Sequence, residues 1–271
     1  MKNKGFTVLE LLIVMALIGL LSSIVLVGFQ GAKERANIAG GLHFNGQIKH
    51  YLGYWAVGIW DLNKIEDGNK VLDSSGNNNH GTVYGATLVK SIPELGYALS
   101  FDGNDYVKCE YDKSFDITNE ITMEAWVKYQ PKSGCKNIIN RRDVYCYTIC
   151  DDQFRFYLNT ATPPTWSPVW IGSIKSLEAG KWYHTAVSYS KTGGVRLWIN
   201  GKLDKTNLSW AYPIQVSGYG IIFGSLENIW TDYYKGLIDE VRIYNQALTS
   251  AQIQKLYAEG IKTHQLTFNE K

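Results

Sequence analysis

Hydrophobic residues are concentrated first in one stretch near the N-terminus. Between residues 5 and 32 the only charged side chain is Glu10, and no charge interrupts the run from Leu11 to Gly28. An apolar run of about 20 residues is long enough to cross a bilayer as a helix. A carboxylate in such a run costs about 2.5–3.5 kcal/mol on insertion scales. The pattern therefore predicts a membrane-spanning helix over residues 6–28, in which Glu10 requires a partner.

The pattern becomes polar after Gly28 but stays compatible with a helix. Residues 32–39 are mostly polar, and Leu42, Ile48 and Leu52 recur at loosely helical intervals. We expect the helix to extend over residues 6–51, with a weak point at the paired glycines 40 and 41, because glycine lowers helix stability.

Short alternating segments replace the helical pattern from about residue 57 to residue 244. Residues 122–128 and 153–158 alternate apolar and polar positions, as half-buried strands do. Residues 195–203 predict a strand, a turn at Asn200-Gly201 and a second strand, because Asn-Gly favours tight hairpin turns. Many short strands at regular spacing indicate a sandwich or a jelly roll.

Composition agrees with an all-β body and excludes some partners. The chain has 271 residues, a number that favours one large globular domain beside the helix. It contains 26 glycines, 18 tyrosines and 9 tryptophans, which suits an aromatic β core. The net charge of +2 is too small to indicate nucleic acid as a partner.

The first residues resemble the N-terminus of type IV pilins and pseudopilins. Two lysines precede Gly5, and the sequence FTVLE follows at residues 6–10. An ordinary signal peptide has a shorter apolar core and a small-residue cleavage site, and a plain anchor leaves Glu10 unexplained. The resemblance implies that a prepilin peptidase removes residues 1–5 as a leader and that the amine of Phe6 is methylated. Glu10 would then pair with the Phe6 ammonium of a neighbouring subunit, so that neither charge stays alone in an apolar environment.

Five further segments resemble, in their order, a LamG-like domain of the concanavalin A-like lectin/glucanase superfamily. They are LDSSGNNNHGT at 72–82, ALSFDGNDYV at 98–107, ITMEAWV at 121–127, GKWYHTAV at 180–187 and GLIDEVRIYNQALT at 236–249. The resemblance implies an all-β, antiparallel two-sheet jelly roll over residues 55–260. A short helix at residues 250–260 would close it, and residues 261–271 would form a C-terminal tail.

All four cysteines lie beyond the apolar run: Cys109, Cys135, Cys146 and Cys150. A pilin-type body lies outside the cytoplasm, where disulfides persist, so the even number favours two bridges, with free buried thiols as the alternative. Cys146 and Cys150 fall on one predicted strand, about 13 Å apart, whereas the bridged Cα atoms of a disulfide lie within about 7 Å. We therefore expect each to pair with Cys109 or Cys135, in an order that the sequence leaves open.

The LamG resemblance also implies a possible calcium ion. Ca²⁺ takes six to eight oxygen ligands, and the loop at residues 73–81 is rich in them. Asp73, Asn79 and Asp239 are the candidate ligands, with Asp102 as a further one. The alternative is that the loop is an Asx-type turn and that Asp239 belongs to an ion pair.

Carbohydrate binding is the other implication, because sugar rings stack on exposed aromatic side chains. Trp166, Trp170 and Trp230 fall in loop-like stretches and are the candidates, with loop packing or subunit contact as the alternative. Catalysis is not expected. Glycoside hydrolysis needs two carboxylates about 5–10 Å apart in one cleft, but the chain has no Glu-x-Asp-x-x-Glu run of the glucanase type, and the adjacent Asp239 and Glu240 would point to opposite faces of a strand.

The sequence thus predicts a structural and adhesive subunit of an extracellular type IV pilus-like filament, not an enzyme. Its expected partners are other copies of itself, prepilin peptidase, the pilus assembly machinery and polysaccharide or cell-surface glycans. The subunit would reside in the cytoplasmic membrane before assembly and at the cell surface afterwards. A minor pilin or secretion-system pseudopilin carrying a carbohydrate-binding module is the alternative.

Overall fold

The computed structural model describes residue 15 and residues 52–92, 96–130, 134–160, 169–226 and 232–264. The chain divides into two compact units, Met1–Tyr51 and Leu52–Lys271. The expected helix over residues 6–51 lies outside the described residues, except for residue 15, which is helical. None of the helices described combines the length and the hydropathy that crossing a membrane requires.

The described part of the second unit folds into two eight-stranded antiparallel sheets, which confirms the expected architecture. Sheet A has the order β14-β13-β12-β7-β16-β5-β4, and β1 also pairs with β16. Its strands are β1 (Ala56–Trp60), β4 (Thr87–Ile92), β5 (Gly96–Asp102), β7 (Glu120–Tyr129), β12 (Tyr183–Ser190), β13 (Gly194–Ile199), β14 (Lys202–Asn207) and β16 (Lys235–Tyr244).

Sheet B has the order β11-β10-β9-β8-β15-β6-β3-β2. Its strands are β2 (Lys70–Val71), β3 (Gly81–Tyr84), β6 (Tyr106–Cys109), β8 (Cys135–Arg141), β9 (Tyr145–Cys150), β10 (Gln153–Leu158), β11 (Val169–Ser176) and β15 (Ile221–Phe223). A short 3₁₀ helix, Lys113–Phe115, precedes β7.

The hydrophobic core lies between the two sheets, because alternate residues of each strand point to the same side. Strand β10 illustrates the rule: Phe154, Phe156 and Leu158 are fully buried, and the residues between them are partly exposed. Trp60 of β1 is fully buried too; its indole N–H donates to the Asn79 carbonyl at 2.8 Å, and its ring meets Phe223 edge to face. Strands distant in sequence thus share one core.

The expected Asn-Gly hairpin is present between β13 and β14. Asn200 and Gly201 have φ values of 50° and 69°, in the left-handed region that asparagine and glycine tolerate best. The turn fixes the register in which Ile199 pairs with Lys202.

A C-terminal helix, α1 (Ser250–His264), covers part of the outer face of sheet A. Its Tyr257 ring stacks on Trp126 of β7, with ring centroids 5.7 Å apart. Gly260 lies so close to the Trp126 indole that a Cβ atom there would overlap the ring. The helix begins at the expected residue and continues four residues beyond the expected end.

Candidate functional site

An exposed aromatic pair lies at one end of the outer face of sheet B. Trp170 of β11 pairs in register with Tyr157 of β10, and their ring centroids are 4.7 Å apart. Trp170 is 54% exposed, whereas the Tyr157 hydroxyl donates to Asn159 Oδ1 at 2.8 Å. The hydrogen bond holds Tyr157 in place beside an indole that faces solvent. An open aromatic surface of this kind can stack on a ligand.

Polar side chains occupy the centre of the same face. The Cys146 thiol donates to Asn137 Oδ1 at 2.6 Å, and Thr148 Oγ1 donates to the Lys136 carbonyl at 2.8 Å. Asn140 is only 2% exposed, and its Nδ2 group has no hydrogen-bond partner among the described residues. Buried polar groups are normally paired, so this amide is an exception.

A second aromatic pair lies further across sheet B. Tyr84 of β3 and Tyr106 of β6 are register partners, and their rings stack at 4.5 Å. Tyr84 is exposed. Lys108, two residues beyond Tyr106, forms a surface ion pair with Glu110 at 3.0 Å. Aromatic pairs thus flank the polar centre of the face on both sides.

Of the three tryptophans expected to contact a ligand, only Trp170 lies in the described structure. Trp166 and Trp230 fall outside the described residues, as do Gly5, Phe6 and Glu10 of the processing and assembly motif. The sequence analysis missed Tyr157, although the alternation in β10 carried the signal: with Phe154, Phe156 and Leu158 pointing inward, Tyr157 must point outward.

Asp73 and Asn79 meet in the loop after β2. The two carboxylate oxygens of Asp73 accept hydrogen bonds from the backbone N–H groups of Ile59, Ser75 and Asn79 and from the Ser75 hydroxyl, at 2.8–2.9 Å. A carboxylate has about four acceptor positions, so these donors use them all. A calcium ion bound through Asp73 would have to displace some of them.

The Asn79 side chain, in the same loop, donates to the Val57 carbonyl and to Ser114 Oγ. The other two candidate calcium ligands, Asp102 and Asp239, lie on two strands of sheet A. Asp102 pairs in register with Lys235, and Asp239 pairs with Trp126. In the part of the chain that the structure describes, no group of three or more His, Cys, Asp or Glu side chains could hold a metal ion.

One disulfide is present, between Cys135 and Cys150, which are register partners on β8 and β9 with Cα atoms 4.1 Å apart. Cys146 and Cys150 do not pair with each other, as expected. The expectation of a second bridge is wrong: Cys109 and Cys146 are free and buried. They lie on β6 and β9, which β8 and β15 separate. Three strand spacings are about 14 Å, too far for a disulfide.

Both free thiols are shielded from reaction. Burial raises the pKa of Cys109 well above its usual value and raises the pKa of Cys146 to about 12. Because the thiolate is the reactive form, neither thiol has the character of a nucleophile at neutral pH.

A cluster of buried charged groups lies on the outer face of sheet A. Arg242 contacts Glu124 at 2.7 Å and Glu240 at 2.9 Å, and His184 Nε2 lies 2.9 Å from Glu124 Oε2. Glu240 has a φ of 46° within a bulge between Asp239 and Arg242. Glu240 and Arg242 are two residues apart on β16 and so point to the same face, and Arg242 is the register partner of Glu124.

The surroundings of Glu124 stabilise its charged form. Burial alone would raise its pKa, but the positive charge of Arg242 and the hydrogen bonds from His184 and Arg242 outweigh burial, and the pKa lies below its ordinary value. An acid held ionised by an arginine is poorly suited to donate a proton to a leaving group. The cluster has the properties of a structural ion network.

Comparison with known proteins agrees with both sequence resemblances. Residues 1–26 match the prokaryotic N-terminal methylation motif, and residues 101–254 match a Laminin_G_3 model of the concanavalin A-like lectin/glucanases superfamily. The chain is 30% identical over 151 residues to the fimbrial protein EcpC of Eikenella corrodens, covering 50% of this chain and 92% of that protein.

Solved structures with the same fold share little sequence with it. The binding domain of Paraclostridial Mosquitocidal Protein 1 has a TM-score of 0.63 at 17% identity, covering 77% of this chain. Domain 4 of AbnA, a GH43 extracellular arabinanase from Geobacillus stearothermophilus solved with arabinotriose, has a TM-score of 0.57 at 21% identity, covering 75% of this chain and 98% of that one. The botulinum neurotoxin serotype D ligand-binding domain, solved with N-acetylneuraminic acid, has a TM-score of 0.62 at 19% identity, covering 78% of this chain.

These likenesses show the fold of the body and nothing more specific. The chain spans about half the length of the Mosquitocidal Protein 1 and serotype D neurotoxin structures, 53% and 52% respectively, so they match it only in part. The matched family model covers more than half of the chain, from the end of β5 into α1. The chain therefore belongs to the concanavalin A-like lectin/glucanases superfamily through its LamG-like body, and it carries the N-terminal methylation motif of type IV pilins in front of that body.

Proposed function

We propose that this protein is a subunit of an extracellular type IV pilus-like filament whose LamG-like body contacts glycans. The observation that carries the proposal is the exposed pair of Trp170 and Tyr157 on a body that follows a pilin-type N-terminus. The motif supplies a means of assembly, and the aromatic surface supplies a means of contact.

The filament part of the proposal rests on the N-terminal motif and on the fimbrial relative. Cleavage after Gly5 would make Phe6 the first residue of the mature chain and Glu10 the fifth. The ammonium group of one subunit and the Glu10 carboxylate of the next would then neutralise each other inside the helical bundle, where an unpaired charge is costly. Such pairing also specifies the stagger between neighbouring helices.

The glycan part rests on the chemistry of the exposed aromatic face and on two structural relatives. Domain 4 of AbnA and the serotype D toxin domain were both solved with a saccharide bound. The indole of Trp170 offers an open apolar surface to the C–H face of a sugar ring. A filament repeats this surface many times, so weak binding at each copy suffices through avidity.

Retention of whole filaments on immobilised polysaccharide tests the glycan part. We expect Trp170→Ala to release filaments that the unmodified protein retains, with filament number and length unchanged. Tyr97→Ala is the matched control, because Tyr97 is also an exposed aromatic residue but lies on β5 in sheet A. Trp166→Ala and Trp230→Ala extend the test. Lost filaments with unchanged retention per filament would instead mean that these aromatic side chains form assembly contacts.

Processing and imaging test the filament part. We expect Glu10→Ala to leave the subunit in the membrane and to prevent polymerisation, while cleavage after Gly5 continues. Assembled protein that retains Met1 would contradict the proposal. Imaging native filaments separates the two alternatives, since a repeating jelly-roll coat marks a main subunit and a rare decoration marks a minor pilin or pseudopilin.

A structural role without catalysis is part of this proposal. Glu124 and Glu240, which lie near each other, share Arg242 as an ion-pair partner and are buried. Hydrolysis of a glycosidic bond needs one protonated and one ionised carboxyl group facing the substrate. Incubation of the protein with a panel of polysaccharides should therefore release no reducing ends.

Calcium binding through Asp73, Asn79, Asp239 and Asp102 is a separate proposal. A ligand that binds only the folded state raises the melting temperature by mass action. If the ion is present, chelator should lower the melting temperature, and Asp239→Asn should reduce that response. An unchanged melting curve and the absence of metal by mass spectrometry would leave only the hydrogen-bonded turn around Asp73.

A further inference from the structure

Charged side chains are distributed unevenly between the two edges of the sandwich. Residues 56–118, which contain β1 to β6, carry ten acidic and five basic side chains, a net charge of −5. Residues 169–209, which contain β11 to β14, carry two acidic and six basic side chains, a net charge of +4. Strands β11 and β14 are in contact at one edge of the two sheets, and β2 and β4 lie at the other. The body is therefore basic toward one edge and acidic toward the opposite one.

The basic edge, formed by β11 and β14, also exposes aliphatic side chains. The two carboxylate oxygens of Asp204 on β14 accept the N–H groups of Ile174 at 2.6 Å and Lys175 at 3.1 Å on β11. Ile174 is 72% exposed and Leu203 is 51% exposed. Three exposed lysines surround them: Lys175, Lys202 and Lys205. A surface of this composition fits an acidic partner that has an apolar recess.

The acidic edge has such a recess, a cavity of about 200 Å³ where the loop after β1 passes beside β2. Its lining includes the apolar side chains of Leu62 and Leu72 and the acidic residues Asp61 and Glu66. Leu72 is 44% exposed, so the apolar wall can be reached from solvent. Most small-molecule sites have volumes of about 300–1,000 Å³. The cavity is smaller than these and suits a single side chain.

The loop that forms the cavity is held in one conformation. Asn63 Oδ1 accepts the Tyr97 N–H at 2.9 Å, and Asn63 Nδ2 donates to the Asp61 carbonyl at 3.0 Å. Leu62, between them, has a φ of 51°, which is unfavourable for a leucine. Such backbone conformations persist only where the surroundings enforce them, and they are concentrated at functional sites. The cavity is thus formed before any partner binds.

Lysine is the side chain that matches this lining. Its aliphatic stem can lie along the leucines while its ammonium group meets the carboxylates. An acidic side chain would meet charges of its own sign, and an apolar one would strip water from the carboxylates without pairing them. Glu66 contacts Lys64 at 2.8 Å, but the Lys64 side chain is 72% exposed. Exposed ion pairs contribute little, so Glu66 can exchange this partner for another lysine.

We infer that the basic edge of one copy docks on the acidic edge of the next, with a lysine of β14, Lys202 or Lys205, in the cavity. The inference rests on the proposed filament, because the filament is what places copies side by side. Two basic edges would repel each other, so an edge does not pair with itself. A contact between two different surfaces, when repeated, builds an open helical assembly and not a closed dimer.

Cysteine cross-linking of the full-length protein on intact cells tests this contact. Leu203→Cys and Leu72→Cys in one chain place a thiol on each edge, and copper phenanthroline is the oxidant. We expect a ladder of dimers, trimers and larger species on a non-reducing gel. Either variant alone should stay monomeric, and the two single variants expressed together should stop at dimers. The native free cysteines are buried and should not contribute.

The control pair is Leu203→Cys with Val216→Cys. Val216 has the same 44% exposure as Leu72 but lies in the loop before β15, away from both edges. This pair should give no ladder. A ladder of equal strength from both pairs would mean random collision and would overturn the inference.

Charge reversal tests the role of the lysines. Lys202→Glu with Lys205→Glu, added to the Leu203→Cys and Leu72→Cys chain, should lower the cross-linked fraction about tenfold, because like charges then meet. Glu66→Lys should restore part of it. Lys181→Glu with Lys191→Glu changes the net charge equally at exposed positions outside β14 and should leave the ladder unchanged. An unchanged ladder after reversal of Lys202 and Lys205 would overturn the inference.

The remaining outcomes separate this contact from the filament proposal. Filaments that form without a ladder would overturn the contact and leave the filament proposal intact. A ladder without filaments would support the contact and overturn the filament proposal. The absence of both would overturn both. Dimers from Leu203→Cys alone would show that the basic edge pairs with itself, which also overturns the inference.

Discussion

The outer faces of the two sheets both carry tryptophan, yet only one face keeps it covered. On sheet A, Trp126 is fully buried beneath Tyr257 and Gly260 of α1 and lies beside the buried cluster of Glu124, His184 and Arg242. On sheet B, Trp170 rests on Tyr157 and remains more than half exposed. Residue type alone does not separate a structural tryptophan from one available to a ligand.

The difference follows from the position of the one helix described after the strands. Helix α1 lies over part of sheet A, where Tyr257 stacks on Trp126 and Gly260 lies close to the same indole. The aromatic pairs of sheet B have no such cover among the residues described. Substitutions on the covered part of sheet A should therefore lower the free energy of unfolding. Substitutions on the exposed part of sheet B should weaken contact with a ligand and leave the free energy of unfolding nearly unchanged.

The largest expected effect is at Trp126. Trp126→Ala should lower the free energy of unfolding by about 3–5 kcal/mol, because it removes the ring under Tyr257 and leaves a cavity. Trp170→Ala is the matched control and should change it by less than about 1 kcal/mol. Urea unfolding of the full-length protein followed by circular dichroism measures both. Equal losses would mean that the two faces do not differ as described.

Removing Arg242 should have a comparable effect. Arg242→Ala leaves Glu124 buried without its strongest partner, and breaking a buried ion pair from one side costs about 3–5 kcal/mol. The comparison is Arg155→Ala on sheet B, where the partly exposed pair with Asp151 should contribute no more than about 1 kcal/mol. A small loss for Arg242→Ala would show that the network relaxes or admits water.

The disulfide on sheet B should contribute substantially to stability, unlike the exposed side chains of the same sheet. Reduction of Cys135–Cys150, or the double Cys→Ser variant, should cost about 3 kcal/mol, since the bridge closes a loop of about 15 residues in the unfolded chain. Titration with a thiol-specific reagent checks the assignment. In the native protein no cysteine should react, whereas in the unfolded, unreduced protein the two free thiols, Cys109 and Cys146, should react. Four thiols under those conditions would exclude the bridge.

The smallest effect is the response to acid. The pKa of Glu124 lies below its ordinary value of 4.5, so the unfolded chain binds its proton more readily than the folded one. The contribution of Glu124 to stability is fully present above pH 4.5 and is lost as the pH falls through the folded pKa. The midpoint of urea unfolding, measured between pH 6 and pH 3, follows this loss. The midpoint should fall less steeply with decreasing pH in Glu124→Gln than in the unmodified protein.

Local pattern predicted much of the body and part of the candidate site. The alternation of β10 predicts both the inward Phe154 and the outward Tyr157, because successive side chains of a strand point to opposite faces. Asn200-Gly201 predicts its own hairpin. Trp170 was identified as a candidate from sequence and proved to be exposed, although it lies on β11 and not in a loop.

The charged cluster could be predicted only in part. Glu240 and Arg242 lie two residues apart on β16, so strand alternation places both on one face. That Glu124 meets Arg242 and His184 depends on the pairing of β7 with β16 and with β12, which no short segment specifies.

The sequence by itself determined the apolar N-terminal run with its single carboxylate, the β character of the body and the face to which most strand residues point. These features depend on a residue and its near neighbours, through charge, side-chain period and turn chemistry. Tertiary structure decided which strands pair, that Cys150 lies opposite Cys135 while Cys109 and Cys146 lie three strands apart, and that α1 covers Trp126 but not Trp170. The burial of apolar surface over the whole chain sets the strand order and the register, so no short segment specifies them.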